Sequence, residues 1–377
     1  RRWLPAVSAQ RRAPEPLAEL RIALQCGGSD AFSGVSGNPL AGAMVHTVVR
    51  EGGIGVLCET DELSGAEAYL MRNVRDAATA RALLVRIARF KTRLSWHGVT
   101  PESNPSAGNK LRGLYNITLK SLGAVHQKDP RTRIDHVIDY AQPHGAPGIY
   151  FMDSPRNDLE GIAGQVGAGC TLFLFVTGNG SITNFPFVPT LKITTTTRRN
   201  QLLVNAMDIN SGRYLDGEAM EALTADAVDL LVATASGQRT RGELAGHAQT
   251  SLWRTWRQTD ATRVTELYPR PSPDGRPLPV TGTARGRPAP DAALALPVVA
   301  GRAATERVGL VLPTSLCSSQ IARLAAERLN VRGLPARLGL DRFVALAHTE
   351  GCGFGGVWMH QARHRTFRGY VPPPNLA

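Results

Sequence analysis

Short apolar segments, each ending in a glycine-rich or polar turn, recur along the first half of the chain. Residues 21–25, 54–58, 149–152 and 171–176 each have the length and apolar content of a buried β-strand. The first of them leads through a Gly/Ser loop into a helical pattern at residues 39–50. Strands that alternate with helices predict an α/β fold, with a mainly parallel sheet and helices on both faces.

Other segments carry the apolar spacing of helices. Residues 64–93 are rich in Ala, Leu and Arg, a second pattern follows Lys110 as far as Leu119, and a third covers residues 220–235. Near the C-terminus, residues 308–313 and 342–347 have the pattern of strands and flank a predicted helix at residues 320–330. A second strand–helix–strand unit is therefore expected there.

Composition divides the 377 residues into four parts. Residues 1–20, rich in Pro and Arg, are expected to be a linker or a truncated end. Residues 21–257 should form one α/β domain. Residues 258–305 are predicted to be a linker, because residues 268–297 within them are dense in Pro, Gly, Arg and Ala. Residues 306–377 predict a partial second α/β module.

The formal net charge of +12 raises the question of nucleic-acid binding. Five of the 43 basic residues are Lys and the remaining 38 are Arg, and they are scattered along the chain. Aromatic residues make up 6% of the sequence, whereas a binding face needs clustered bases interleaved with aromatics. We therefore expect no nucleic-acid partner.

Neither targeting nor disulfide bonding is indicated. No apolar run reaches membrane-spanning length, and residues 1–20 lack the apolar core of a secretion signal, which favours a cytoplasmic protein without a membrane partner. The five cysteines are odd in number and widely spaced, with no CxxC pair, which argues against a disulfide framework.

The loop after the first predicted strand is the first candidate site. Gln25-Cys-Gly-Gly-Ser-Asp30 lies between a strand and a helix, at the edge of a parallel sheet where ligands bind. Gly27 and Gly28 allow close approach of the backbone, and the helix that follows favours an anion such as a carboxylate. Cys26 is a possible metal ligand. Taken alone, the motif also fits a tight turn with a buried cysteine.

A second polar loop, Asn104-Pro-Ser-Ala-Gly-Asn-Lys110, also opens onto a helix. Lys110 can hold a carboxylate or, if desolvated, act as a base. The alternative is a solvent-exposed lysine, although lysine is scarce in this chain. Lys120 and Lys192 are weaker candidates of the same kind.

Two further strand ends and two loops of the tail carry polar groups. Met152-Asp-Ser-Pro155 and Thr177-Gly-Asn-Gly-Ser181 place Asp153 and backbone N–H groups at strand ends, although ordinary turns have the same composition. In the tail, Cys317 follows one strand, and His348-Thr-Glu-Gly-Cys352 follows another. His, Glu and Cys this close together can form part of a metal site, or can simply surround a buried cysteine.

Taken together, these loops resemble the signature of the altronate/galactarate dehydratase family between Arg21 and Trp256. The segments that carry the resemblance are Gln25–Asp30, Phe32-Ser-Gly34, Asn38-Pro39, Glu59, Gly65-Ala-Glu67, Asn104-Pro105, Gly108-Asn-Lys110, Lys120-Ser-Leu-Gly123, Phe151-Met-Asp153, Gly164-Gln165, Thr177-Gly178, Gly180-Ser181, Pro189, Lys192, Thr195 and Asp208-Ile-Asn210. The tail loops around Cys317 and Cys352 resemble the segment that normally precedes this region.

The resemblance implies a hydro-lyase that converts a sugar acid to a 2-keto-3-deoxy acid. A base removes the proton α to the carboxylate and the β-hydroxyl leaves, so the dianion that forms needs electrostatic stabilisation, which a divalent metal supplies. Lys110 is the predicted base or carboxylate clamp and His348 the second choice. Asp30, Glu59 and Asp153 are candidates to orient substrate hydroxyls.

The predicted binding site is completed by residues on the same loops. The predicted substrate-binding residues are Gly27, Gly28, Ser29, Asp30, Asn104, Asn109, Glu59 and Lys192. A homo-oligomer is also a possibility.

The resemblance implies Fe²⁺ or Mn²⁺ as cofactor. Our further hypothesis is that Cys26, Cys317 and Cys352 converge on iron, as thiolate ligands or around an iron–sulfur cluster with one open site. The alternative is that they are three unrelated buried thiols.

Two other functions remain open. The chain lacks the small β-rich domain with which such proteins begin, and it has His46, Cys58 and Asn184-Phe185 where the family pattern leads us to expect Asp, Ser and a Gly-Cys-like pair. These departures favour an inactive fragment or a non-catalytic homologue that keeps the ligand pocket. A lyase acting on another hydroxy acid, such as a sulfonated one, is the third possibility.

Overall fold

The computed structural model describes residues 5–6, 9–96, 99–155, 157–253, 298–299, 302–303, 308–311 and 319–345. Its main feature is a seven-stranded sheet in which every pair of neighbours is parallel. The strands are β1 Arg21–Cys26, β2 Ile54–Leu57, β3 Ile134–Ile138, β4 Gly148–Met152, β5 Leu172–Thr177, β6 Thr190–Thr194 and β7 Ile209–Asn210. The predicted α/β class is confirmed.

The order of the strands across the sheet is β3-β4-β2-β1-β5-β6-β7. On one side of β1 lie β2, β4 and β3, and on the other side lie β5, β6 and β7. The direction of winding therefore reverses between β1 and β5. In open parallel sheets such a reversal leaves a crevice at the carboxyl ends of the two strands, where ligands bind.

Helices pack on both faces of this sheet. They are α1 Gly37–Arg50, α2 Glu67–Met71, α3 Ala77–Ser95, α4 Ala107–Leu111, α5 Ile117–Ala124, α6 Asp158–Ala168, α7 Thr197–Leu202, α8 Met220–Ala235 and α9 Arg241–Leu244. On one face, α1 buries Leu40, Met44 and Val48, one helical turn apart, in a core that also contains residues of α3 and α8. On the other face, Ile162 and Ala163 of α6 join the second core.

Capping residues divide two of the predicted helices. Residues 64–93 form α2 and α3 rather than one helix, and the side chain of Asp76 accepts a hydrogen bond from Thr79 N at the start of α3. The segment after Lys110 likewise begins a new helix, α5, where the side chain of Asn116 accepts from Leu119 N. The strands β3, β6 and β7 were not predicted.

The tail forms its own small unit. β10 Val308–Val311 pairs in parallel with β11 Arg342–Ala345, and they flank the predicted helix, α10 Ser319–Val331. A second short helix, α11 Leu334–Arg337, was not predicted. Within the predicted linker, β8 Val298–Val299 and β9 Arg302–Ala303 form an antiparallel pair. None of the helices in the described ranges is long and apolar enough to cross a membrane.

Candidate functional site

The loops after β1 and β5 meet at the reversal point of the sheet. Gly27 N donates to Val176 O over 3.0 Å, and Asn179 N donates to Gly28 O over 2.9 Å. Gly28 has a φ of +67°, which favours glycine at this position. The motif predicted from sequence therefore does lie at the crevice between β1 and β5.

Asp30 joins three segments around this crevice. One carboxylate oxygen accepts from Ser33 N over 2.9 Å at the start of a 3-10 turn. The other accepts from Thr195 Oγ1, beyond β6, over 3.0 Å. A Cβ at Gly178, after β5, would overlap the same carboxylate. Asp30 therefore has a structural role at the predicted site, because its oxygens hold the loops together.

A buried pair of carboxylates lies beside Gln25, at the end of β1. Gln25 Nε2 donates to Glu59 Oε1 over 2.5 Å and also reaches Asp158 Oδ1 at 3.4 Å. Glu59 and Asp158 are 2% and 0% exposed. Asp158 occupies the first turn of α6, where the positive end of the helix dipole stabilises a carboxylate.

Glu59 also has an unusual backbone conformation. Its φ of +70° is uncommon outside glycine, and its N–H donates to Ser154 Oγ over 2.8 Å. Backbone strain of this kind concentrates at functional sites and is maintained by the surrounding structure. Glu59, which was predicted from sequence, is thus held rigidly beside Asp158, which was not.

A buried lysine lies on the other side of the β1 loop. Lys120, on α5, is 3.4 Å from Glu62 Oε1 and donates to Asn109 Oδ1 over 3.1 Å. Asn109 Nδ2 in turn donates to Ser29 O over 2.7 Å. Lys120 and Glu62 are almost fully buried, so their charges interact in a medium of low dielectric constant. The chain Lys120–Asn109–Ser29 connects this ion pair to the crevice.

Lys110 was predicted to act as a base if its side chain is desolvated. Its side chain is exposed, whereas Lys120, ten residues later, is buried. The capping box formed by Ser106 and Asn109 turns Asn109 inward at the start of α4. Asn104, another predicted residue, is also buried and donates to Asp61 Oδ2 over 3.0 Å. The buried cation of this loop region is therefore Lys120.

Asp153 is held by cations and a hydroxyl. Its carboxylate pairs with Arg89 and, over 2.9 Å, with Arg93, and it accepts from Thr60 Oγ1 over 2.7 Å. Because these partners occupy both oxygens, the geometry gives Asp153 a structural role: it ties β4 to α3.

Lys192 lies on β6, at the same level of the sheet as Gln25, with Phe175 between them. It is fully buried, and its Nζ has no hydrogen-bond partner among the described residues. Burial lowers the pKa of the ammonium to about 8, although Asp208 and Glu243 act in the opposite direction. Lysine is rarely buried without a partner.

The predicted iron site is incomplete in the part of the chain that is described. Cys26 Sγ lies 2.8 Å from Ser29 Oγ, and burial together with Glu62 raises the pKa of the thiol well above its usual value. No group of three His, Cys, Asp or Glu residues in the described ranges has a metal-binding arrangement. Cys317, His348 and Cys352 lie outside those ranges. The described residues alone therefore do not fit an iron centre.

Two family descriptions match the chain. "D-galactarate/Altronate dehydratase, C-terminal" matches residues 17–258, and "D-galactarate dehydratase/Altronate hydrolase, second domain" matches residues 299–377. Altronate dehydratase of Escherichia coli is 36% identical over 233 residues, which are 62% of this chain and 47% of the relative. Galactarate dehydratase (L-threo-forming) of E. coli is 32% identical over 217 residues, 58% of this chain and 41% of the relative.

A relative with a different activity is also similar. The (2R)-sulfolactate sulfo-lyase subunit beta of Chromohalobacter salexigens is 27% identical over 259 residues, which are 68% of this chain and 67% of the relative. The chain spans less than half the length of the two E. coli dehydratases.

Proposed function

Because the chain belongs to the D-galactarate/altronate dehydratase family, we propose that it removes water from a sugar acid of the altronate or galactarate type to give a 2-keto-3-deoxy acid. The observation that carries the proposal is the layer of buried charged side chains at the carboxyl ends of β1 and β2. Burying such groups is costly, and they lie beside the crevice that the strand order creates between β1 and β5.

The reaction needs a base, an acid and a positive charge. The base takes the weakly acidic proton next to the substrate carboxylate, and the acid protonates the hydroxyl that leaves from the next carbon. Glu59 and Asp158 share one amide donor, Gln25 Nε2. Two carboxylates in one buried site favour opposite protonation states, so the pair is suited to both proton transfers.

We assign the positive charge that the reaction needs to two buried lysines, Lys120 and Lys192. Removal of the α-proton leaves a dianion, which a fixed cation in a water-poor site stabilises strongly. Lys120 lies one hydrogen-bonded residue, Asn109, away from the Ser29 carbonyl of the β1 loop. Lys192, whose ammonium has no hydrogen-bond partner in the described ranges, is the second cation that we assign to substrate binding.

The test is dehydration of a panel of aldonic and aldaric acids under anaerobic conditions with added Fe²⁺ or Mn²⁺, with detection of the 2-keto-3-deoxy product. Glu59→Gln should remove activity while the protein stays folded. Lys110→Ala should retain it, because Lys110 is exposed. If Lys110→Ala abolishes product formation and Glu59→Gln does not, the assignment of the base returns to Lys110.

The metal is a separate proposal, which rests on the family. We expect iron in anaerobically purified protein, with Cys26 among its ligands, and less iron in a Cys26→Ser variant. Iron and acid-labile sulfide are measured directly. Equal iron content in the two proteins would remove Cys26 from the ligand set.

A second candidate activity is elimination of sulfite from a sulfonated hydroxy acid. It is favoured by the sulfo-lyase relative, which is matched over two thirds of both chains. The two reactions share removal of an α-proton and loss of a β-substituent, so the same carboxylate pair would serve. Sulfite release from sulfolactate, measured beside the sugar-acid panel, distinguishes them. Folded protein without product in either assay would favour a non-catalytic homologue.

A further inference from the structure

A cleft separates the main domain from the tail unit. Its walls are α7 and α10, and its volume is about 350 Å³, within the range of small-molecule sites. Leu324 of α10 packs against the small core cluster of Leu203, Ala206 and Met207. The cleft is therefore a feature of the packed junction between the two units.

The cleft is lined by positive charge and apolar carbon. Arg199 projects from one wall, and Arg328 and Arg332 project from the other. Leu202, Leu324 and Leu329 are among the apolar residues between them. No carboxylate lines the cleft, and none of the three arginines forms an ion pair with a carboxylate of the described ranges.

Positive charge predominates around Arg199. Burial and the nearby guanidinium groups of Arg112 and Arg198 lower its pKa, and only Asp30 opposes them. An anion in the cleft would relieve this repulsion. A guanidinium offers several N–H donors in a planar fork that matches a carboxylate or a phosphate.

We propose that the cleft between α7 and α10 binds an anion that carries an apolar body, of the class of medium-chain carboxylates. The charged head lies between the arginines and the chain lies on the leucines. A polyhydroxylated sugar acid does not match this apolar surface, so the cleft is a second site, distinct from the crevice at β1 and β5.

Two residues of the cleft, Arg199 and Leu203, lie near the loops of the candidate active site. Arg199 is attracted to Asp30, which holds the β1 loop. A Cβ at Gly180, in the loop after β5, would overlap Leu203 of the cleft.

The experiment is a calorimetric titration of the full chain with octanoate, with 1-octanol as the uncharged probe of similar length. Octanoate should bind and octanol should bind much more weakly. Because each charge-assisted hydrogen bond contributes substantially to affinity, Arg328→Gln should weaken octanoate binding by about tenfold. Arg337→Gln, which removes an exposed arginine outside the cleft, is the matched control and should bind as the unmodified chain does.

The salt dependence gives a second measurement. Octanoate binding should weaken as NaCl is raised from low to physiological concentration, because exposed charges are screened. Equal binding of octanol, no binding of octanoate, or an unchanged affinity in Arg328→Gln would each overturn the proposal. Binding is measured without turnover, so the result does not depend on the dehydratase activity proposed above.

Discussion

Lys192 carries a positive charge at a fully buried position of the sheet. Its Nζ has no hydrogen-bond partner in the described structure, and burial brings its pKa to about 8. A residue that lowers stability in this way is usually kept for function. The effect on stability can be measured separately from any activity.

Lys192→Met should therefore stabilise the protein at pH 7. The native state binds a proton at Lys192 less tightly than the unfolded state does, so the penalty is complete below pH 8 and disappears as the pH approaches the unfolded value. We expect a gain of up to about 3 kcal/mol in the free energy of unfolding at pH 7. By pH 10.5 most of the gain should be lost.

Urea denaturation at both pH values measures this difference. Lys91→Met, which removes a half-exposed lysine paired with Glu67, is the control and should change stability little at either pH. Lower stability of Lys192→Met at pH 7 would show instead that the ammonium has a favourable partner.

In contrast to Lys192→Met, removal of Lys120 from its ion pair with Glu62 should lower the free energy of unfolding. Both side chains are almost fully buried, so Lys120→Met leaves a carboxylate without its cation. Loss of one partner of a buried pair costs about 3–5 kcal/mol. The double variant Lys120→Met/Glu62→Gln should recover part of that loss, as measured by urea denaturation. No recovery would mean that Lys120 acts mainly through Asn109.

At the scale of elements, one close contact between glycines sets the position of the site loops. The 3-10 turn Ala31–Gly34 packs against α5, and a Cβ on Gly34 would lie 2.6 Å from Gly123 Cα. Asn38 Nδ2 donates to Gly123 O over 2.8 Å at the same place. The turn that follows the Cys26–Asp30 loop and the helix that carries Lys120 are thereby joined.

Gly34→Ala should push the turn and α5 apart. Overpacking of a well-packed contact costs about 1–3 kcal/mol, and the displacement should also reduce any activity that depends on Lys120. Gly145→Ala is the matched control, because nothing lies within 4 Å of its Cβ position. Thermal unfolding of the two variants is compared with that of the unmodified chain. Equal stability of the two variants would contradict the tight contact.

Elements with an apolar pattern were predictable, and those with buried polar residues were not. β1, β2, β4 and β5 follow their apolar runs closely. β6, Thr-Leu-Lys-Ile-Thr, was not predicted because only two of its five residues are apolar, and β3, Ile-Asp-His-Val-Ile, was not predicted because the adjacent Asp135 and His136 interrupt its apolar run. The caps Asp76 and Asn116 were present in the sequence as helix-start signals, and their use would have divided the long helices.

The candidate site was predictable in its loops and less so in its charges. Gln25–Asp30, Asn104 and Asn109 lie where the motifs placed them. Lys120 was given less weight than Lys110 because sequence alone does not show which face of a short helix is buried. Asp158 was missed because only the fold brings the start of α6 beside Gln25.

At the scale of the whole molecule, the described part of the tail unit packs onto the main domain through few side chains. Leu324 of α10 is the tail residue that joins the cluster of Leu203, Ala206 and Met207. Interfaces this limited are expected to open readily. The contact also forms part of the wall of the anion cleft proposed above.

Leu324→Asp should release α10 from α7 while the seven-stranded sheet stays folded, because it replaces the apolar side chain that packs against Leu203, Ala206 and Met207 with a charged one. Amide hydrogen exchange should then increase in residues 199–207 and remain unchanged in β1 and β5. Leu338→Asp, on an exposed side chain of the tail, is the control and should leave α7 protected. Unchanged exchange in Leu324→Asp would show that Leu324 does not hold the two units together.

The parallel direction of all seven strands has a practical use for anyone who wishes to label this protein. The site loops that carry Gln25–Asp30, Glu59 and Asp158 each follow a strand of the parallel sheet, so the turns that enter those strands lie at its opposite edge. The turn before β4, at Gly145, is exposed and has open space around it. A fluorophore or an affinity tag inserted there would report on the protein from the side remote from its chemistry.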